Sequence, residues 1–565
     1  MKYIIFTILI SILPGIYGQN YYVSSTGNED NDGSLLSPWL TIQNGIDNLA
    51  PGNTLYIMAG TYNEKVFVEA SGKPDSIITI KNYNGEVVTI SGSGITASEA
   101  IIELFNVSNI TIEGLNLANN EMLDAKGILI DGNCDNITIK NNTIYNINFS
   151  TNAGDAVTES TNAQPLIVFG SDASSPIENL VIVGNEIYNS RTGYSEALAV
   201  NGNVDGFKVI NNHVHDISNI GIDIIGHEET CSDPANDQAR NGVVKNNATY
   251  NCISDYATSG GIYVDGGKDL LIENNSSYHN GYGIEIGCEN TGKTTSNIVV
   301  KNNVFYDNQV CAIAVGGFDY PGGSGKVVNC DILNNSCLKN DFSQKGTGEL
   351  YLTYLEEGSI MNNIFYLSDQ DIFAYAESSQ SNLVMDYNLF YSVSGNFDVN
   401  WNDTEYESYA AFNSGTGFNT HSVFGDPLLT SASKSSPQFT IHNSSPAIDA
   451  GDPSYTAGVD ELDIFGESRI INGRIDIGAA ENQSGSGIEP VLYHNSSFIY
   501  PNPFRDVIHI PADEDIHTQV LTISGSLLMK STGKEINLEF LPKGIYIVKI
   551  NTDKGKTIIE KVIKY

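Results

Sequence analysis

The chain has 565 residues, and its 28 basic side chains face 67 acidic ones for a formal net charge of −39. That balance excludes nucleic acid as a partner, since no basic footprint exists to displace counterions from a phosphate backbone. It also opposes capture of a polyanion by bulk field, so an acidic glycan would need local cations or high salt.

Lys2, an apolar run over 4–13 and small residues ending near Gly18 read as a signal peptide, residues 1–18. No later run approaches the ~20 apolar residues of a membrane span, so the mature protein is expected to be secreted or surface-attached, with no transmembrane segment. Seven cysteines (Cys134, Cys231, Cys252, Cys288, Cys311, Cys330, Cys337) form no metal-like CxxC pair. An odd count in an exported chain fits buried thiols acting as small hydrophobes. From Tyr21 a strand, a turn and a short amphipathic helix over about 42–49 are predicted, followed by Thr54-Leu-Tyr-Ile-Met-Ala-Gly-Thr-Tyr and Ile77-Ile-Thr-Ile. This opening resembles the N-terminal cap of exported right-handed parallel β-helix proteins of the pectate-lyase-like superfamily, which includes polysaccharide lyases.

From about residue 100 a repeat takes over: an aliphatic strand, Asn-Asn, then an aromatic three residues later. Ile137-Thr-Ile-Lys-Asn-Asn-Thr-Ile-Tyr, Leu271-Ile-Glu-Asn-Asn-Ser-Ser-Tyr and Ile298-Val-Val-Lys-Asn-Asn-Val-Phe-Tyr are examples. The second Asn falls at 142, 212, 247, 275, 303, 335 and 363. Such a period fits a coil of two or three short strands, and stacked coils give parallel sheets ~4.8 Å apart. Asn at one turn of each coil can then form a hydrogen-bonded ladder. Tyr145, Tyr188, Tyr250, Tyr278, Tyr306 and Tyr366 share a register with His215, and all are expected to stack. The fold class is therefore all-β, a right-handed parallel β-helix (solenoid) over 19–481.

Within it, Gly221-Ile-Asp-Ile-Ile-Gly-His-Glu-Glu, Gly261-Ile-Tyr-Val-Asp-Gly-Gly and Gly283-Ile-Glu-Ile-Gly-Cys-Glu stand apart. Period-two alternation turns Ile222, Ile224, Ile262, Val264, Ile284 and Ile286 inward. Asp223, Tyr263, Asp265 and Glu285 then gather on one exposed face, with Asp223, Tyr263 and Glu285 in a single column. The plain structural reading is an acidic, solvated sheet face. The functional reading starts from spacing, which sets the Asp265 and Glu285 Cα atoms on the order of 8 Å apart. Their carboxyls can close to the ~5–5.5 Å of a retaining glycosidase or stay wider for an inverting one. Crowded acids also raise one another's pKa, which suits a proton donor. Long exits at 227–241, 289–296 and 318–326 are expected to wall a cleft and to bring His227, Arg240 and Glu289 to it, with Lys268 on a neighbouring turn. That set also fits β-elimination from a uronic acid: His227 or Lys268 as base, Tyr263 or Tyr282 as acid, and Arg240 as partner of the substrate carboxylate. Asp223, Asp265 and Glu285 are alternatively oxygen ligands for Ca²⁺. The Gly261 and Gly283 segments resemble the Asp and Glu on adjacent coils of β-helix glycosidases such as certain β-xylosidases, without the domain those enzymes insert near the N-terminus.

Asp426-Pro, Ser445-Pro-Ala-Ile-Asp-Ala-Gly-Asp and Gly473-Arg-Ile-Asp-Ile-Gly-Ala-Ala-Glu resemble the closing segment of exported bacterial β-helix proteins, so Asp449, Asp452 and Asp476 read as structural. A polar linker follows over 482–490. Tyr500-Pro-Asn-Pro-Phe and Leu541-Pro-Lys-Gly-Ile-Tyr-Ile-Val-Lys-Ile, within 491–565, resemble the C-terminal sorting domain of the type IX secretion system, which implies a small β-sandwich and the secretion machinery as partner. The expected function is degradation of a uronic-acid-containing polysaccharide, or its oligosaccharides, by β-elimination (a lyase or dehydratase). The alternative is a glycoside hydrolase using Asp265 and Glu285, and a third reading is a non-catalytic surface protein that binds glycan.

Overall fold

The computed structural model describes residues 18–564, apart from 318, 378–379, 434–436, 460, 484–498, 500–503, 511–515, 523–526 and 553–556. The signal peptide, most of the linker and the Tyr500-Pro-Asn-Pro phrase lie outside the described residues. The chain divides into two compact units, 1–482 and 483–565.

The first unit is a parallel solenoid whose described strands form three sheets of thirteen. Each coil visits the first, second and third sheet in turn, as in Lys268–Glu273, Ser276–Tyr278 and Tyr282–Gly287. Coils begin earlier than the repeat is legible, because Asn20–Val23 already opens the first sheet. The short helix, Ile42–Asp47, buries Ile42 and Ile46 against the inner stack at one end. At the other end the helix Tyr409–Thr416 places Phe412 beside Trp401 and Phe418.

The Asn-Asn doublet has two distinct jobs. The first Asn of each pair turns the chain with positive φ, between 53° and 59° at Asn141, Asn211, Asn246, Asn274, Asn302, Asn334 and Asn362, a conformation Asn tolerates better than most residues. The second Asn is buried and forms the ladder. Asn142, Asn185, Asn212, Asn247, Asn275, Asn303, Asn335, Asn363 and Asn388 pass their side-chain amides to one another at 3.0–3.1 Å. Gly184 and Tyr387 take the left-handed place before Asn185 and Asn388, which hid those two rungs from the doublet pattern. A second ladder links Asn280, Asn308 and Asn340 and ends on Glu349.

The aromatic column also forms. Tyr145, Tyr188, His215, Tyr250, Tyr278 and Tyr306 stack with centroids 4.5–5.2 Å apart and planes within 13°. Tyr366 does not join, because Leu338 occupies the intervening coil, and its ring meets Tyr391 edge-on instead. All seven cysteines are free and buried. After the last coil the chain returns along the solenoid: Asn274 donates to the carbonyls of Leu462 and Asp463, and buried Arg469 pairs with Glu481 at 3.3 Å. Asp476 accepts the amides of Asp449 and Asn482, a structural part as predicted.

Among its described residues the second unit holds two antiparallel sheets, Val507–His509 with Glu535–Asn537, and a four-stranded sheet centred on Ile516–Thr522 and Gly544–Thr552. Phe504, Ile508, Val520, Val548 and Val562 lie in their common core.

Candidate functional site

The third sheet carries the acids in the expected register. Asp223 pairs with Tyr263, and Tyr263 with Glu285. The same outward column continues through Ala199 and Ile167 on one side, and through Ala314, Tyr351 and Tyr375 on the other. Asp265 lies one alternation step further along its strand, opposite Gly287.

The face is not an exposed one. Asp223 is 2%, Tyr263 5% and Asp265 5% exposed, whereas Glu285 is half-buried and Glu289 exposed. The loops explain the difference. Gly226 donates to the Asp265 carbonyl, and Gln238 donates from Nε2 to the carbonyls of Gly266 and Thr294. Between them, the Asp237 carboxylate accepts the amides of Glu229 and Cys231, which folds loop 226–238 into a compact flap. The Asp265 carboxylate accepts the Glu289 amide at 2.7 Å, and Tyr263 Oη donates to Glu289 Oε1 at 3.3 Å. Tyr263 also reaches over Gly287, where an added Cβ would sit 3.0 Å from its hydroxyl.

Burial sets the electrostatics. It raises the carboxyls of Asp223 and Asp265 well above the usual range, aided by neighbouring charges: Glu196 first for Asp223, and Glu289 for Asp265. Glu285 is pushed up to about 8, by burial first and then by Glu289. Burial and the surrounding acids likewise raise the phenol of Tyr263, and burial with Glu285 raises that of Tyr282. Asp223 Oδ1 is buried without a hydrogen-bond partner among the described residues.

Two further acids belong to this group and were not predicted. Glu196 opens the preceding strand, Glu196–Gly202, and burial raises it to about 7. Glu228, in the flap, is raised by burial and by Glu289, and accepts a bond from Asn290. The signal for Glu196 was Leu198-Ala-Val, in register with Ile222-Asp-Ile, but the acid precedes it by two residues at the strand's mouth.

Not every predicted residue comes here. Arg240 and Lys268 begin strands of the first sheet, where they pair in register with each other. The chain turns the corner at Gly266 and Gly267 before it reaches Lys268, so both cations stand on a different wall. Arg240 is bound to Asp205 at 3.0 Å, and its other donors hold Asn236, Gln238 and Asn203. Lys268 lies 3.8 Å from Asp269. His227 sits in the flap with Nε2 3.4 Å from the Thr294 carbonyl and with Nδ1 buried and without a partner among the described residues. Burial holds its imidazole below the usual range. As for calcium, no group of three or more His, Cys, Asp or Glu side chains among the described residues is arranged to hold a metal ion. Asp223, Asp265 and Glu285 do not form such a group.

The raised carboxyls carry a consequence for stability. Near neutral pH, folded Glu285 (about 8) and Glu196 (about 7) retain protons that ordinary carboxyls, at 4.5, have released. Asp476 (about 6) and Glu481 (about 8) act with the same sign. The folded state thus binds more protons across this window, and stability falls as pH rises from about 4.5 to about 8. Thermal unfolding followed by circular dichroism is expected to give a higher Tm at pH 5 than at pH 8, with a smaller difference in Glu285→Gln. A Tm that climbs with pH contradicts this.

Comparison with known proteins adds the family. A model of the right-handed β-helix region matches residues 236–414, and a model of the secretion-system C-terminal sorting domain matches 498–565. The "Uncharacterized protein YwoF" of Bacillus subtilis is 32% identical over 447 residues, covering 76% of this chain and 92% of that protein. The chain belongs to the same β-helix family as YwoF. Pectate lyase PEL9 of Emericella nidulans is 26% identical over 98 residues, 17% of this chain and 24% of the lyase. The crystal structure of pectate lyase Pel9A superimposes with a TM-score of 0.43 at 13% identity, covering 83% of this chain and 97% of that one. The sorting domain identifies a type IX secretion substrate, secreted or attached at the cell surface. Among the described residues, no helix is long and apolar enough to cross a membrane.

Proposed function

We propose that this YwoF relative is a secreted enzyme that cleaves glycosidic bonds in a polysaccharide or its oligosaccharides, with Glu285 as the proton donor to the leaving oxygen. The observation that carries this reading is the position of Glu285. It is the half-open member of a row whose other acids, Asp223 and Asp265, are shut in, and its carboxyl is raised to about 8. A carboxylic acid that keeps its proton at neutral pH yet meets solvent is suited to general acid catalysis. In this reading Glu289, exposed four residues further on, bonded by Tyr263 at its side chain and by Asp265 at its backbone amide, is the base or nucleophile. Asp265 then positions the loop instead of touching the substrate.

Hydrolysis fits these side chains better than elimination. Removing the C5 proton of a uronate asks for a cation beside its carboxylate, and Arg240 and Lys268 stand on the first sheet. A row of acids also favours a neutral sugar at the reacting position. Elimination keeps one specific support: His227, whose lowered pKa and unpartnered Nδ1 suit a neutral base. The two readings separate on products. Incubated with neutral and uronate glycans, the secreted protein is expected to release new reducing ends with the mass of one added water per cut. Products with the ultraviolet band of an unsaturated sugar, and no added water, would establish elimination instead.

A further inference from the structure

We infer that Tyr351 and Tyr375 form a stacking platform for the sugar units following the reacting bond, and that loop 226–238 closes the opposite side, so a glycan chain enters by its end. This rests on the reading of Glu285 as the reacting edge.

The column of outward side chains supplies the geometry. Past Glu285 it reads Ala314, Tyr351, Tyr375. Between the glutamate and the tyrosine the column narrows to the methyl of Ala314, which is itself buried. Tyr351 and Tyr375 stand two and three coils from Glu285, on the order of 10 and 14 Å at the strand spacing. One coil advances about as far as one pyranose unit, so consecutive sugars fall over consecutive rings. The two rings are tilted at 46° with centroids 6.0 Å apart, and they are not closed face to face as in the Tyr145–Tyr306 stack. Tyr375 is 36% exposed, and Tyr351 is fixed by donating to Glu377 at 3.2 Å. Open aromatic faces offer the C–H faces of a sugar apolar contact, and the carboxylate beside them offers its hydroxyls an acceptor.

In the other direction the groove stops. Ile167, Ala199 and Ile225 point outward from the same sheet, yet are at most 5% exposed and form their own apolar cluster. The flap lies across these coils: Thr230 donates to Asn201, and Asn236 donates to the Ala173 carbonyl. Gly202 makes room for Thr230, since a Cβ there would meet its methyl at 2.7 Å. A sugar set against Glu285 therefore has neighbours toward Tyr351 and none beyond Asp223.

The full chain carrying Glu285→Gln is titrated with β-1,4-linked xylo-oligosaccharides and oligogalacturonates, from disaccharide to hexasaccharide, by calorimetry. For at least one series the affinity is expected to rise up to the tetrasaccharide and then level off. Adding Tyr375→Ala is expected to weaken tetrasaccharide binding about five- to tenfold while leaving the disaccharide unchanged, and Tyr375→Phe to restore it. Affinity independent of length, an equal loss at all lengths, or no binding in either series overturns the platform. Early products of the wild-type protein on a hexasaccharide are expected to come from one end, and internal cutting overturns end entry. Length-dependent binding without any cleavage by the wild type would leave the platform standing and refute the catalytic reading instead.

Discussion

Replacing Glu285 by Gln is expected to lower kcat/KM about 100- to 10,000-fold, the usual contribution of a general acid, while the fold and saccharide affinity persist. The amide keeps the size and hydrogen-bonding capacity of the protonated acid but has no proton to give. Because burial favours the neutral form of the acids around half-buried Glu285, the neutral substitute should not destabilise the solenoid. In the wild type the basic limb of the pH–rate profile should fall near pH 8, where Glu285 loses its proton. Asp265→Asn is expected to act through Glu289: it loosens the bond to the Glu289 amide, and so should lower kcat less than Glu285→Gln does, with KM little changed. Equal activity of Glu285→Gln and wild type on a cleaved glycan would remove Glu285 from the chemistry.

Asn303→Ala is expected to be the most damaging single change in the scaffold, at roughly 3–6 kcal/mol. Asn303 accepts the amide and the side chain of Asn275 through Oδ1, and donates to the Ile272 carbonyl and to Asn335. It is fully buried, so an alanine strands several polar groups at about 1–3 kcal/mol each. Its doublet partner offers the contrast. Asn302→Gly preserves the left-handed turn at φ 57° and gives up the side-chain bonds to the returning segment, including Arg469. Denaturant midpoints of the two variants should therefore differ, with Asn303→Ala the lower.

Much of the solenoid could be read directly from the chain because stacking forces the same turn chemistry on every coil. The ladder, the His215 stack and the pairing of Asp223, Tyr263 and Glu285 all follow from a fixed register. What a register cannot convey is which outward face a loop will cover. The acids at 223 and 265 alternate as solvent-facing residues do, and only the folded loops leave them buried. Corners are equally silent: Arg240 and Lys268 are near the acids in sequence, yet loop 226–238 carries the first and a turn at Gly266 the second to another wall. Glu196 escaped notice because its carboxyl enters the cluster from the start of a strand and not from the alternating column. Leu338 interrupts the tyrosine column for a simpler reason, a substitution in one coil that breaks contact with Tyr366.

A titration of Glu285 itself tests the site most directly. Protein carrying glutamate labelled at the side-chain carboxyl is followed by NMR across pH, with the Glu285 signal assigned by its loss in Glu285→Gln. The midpoint is expected at about 8. A midpoint in the ordinary carboxylate range, near 4.5, would show a solvated surface acid and contradict a proton donor held at the mouth of a buried acidic row.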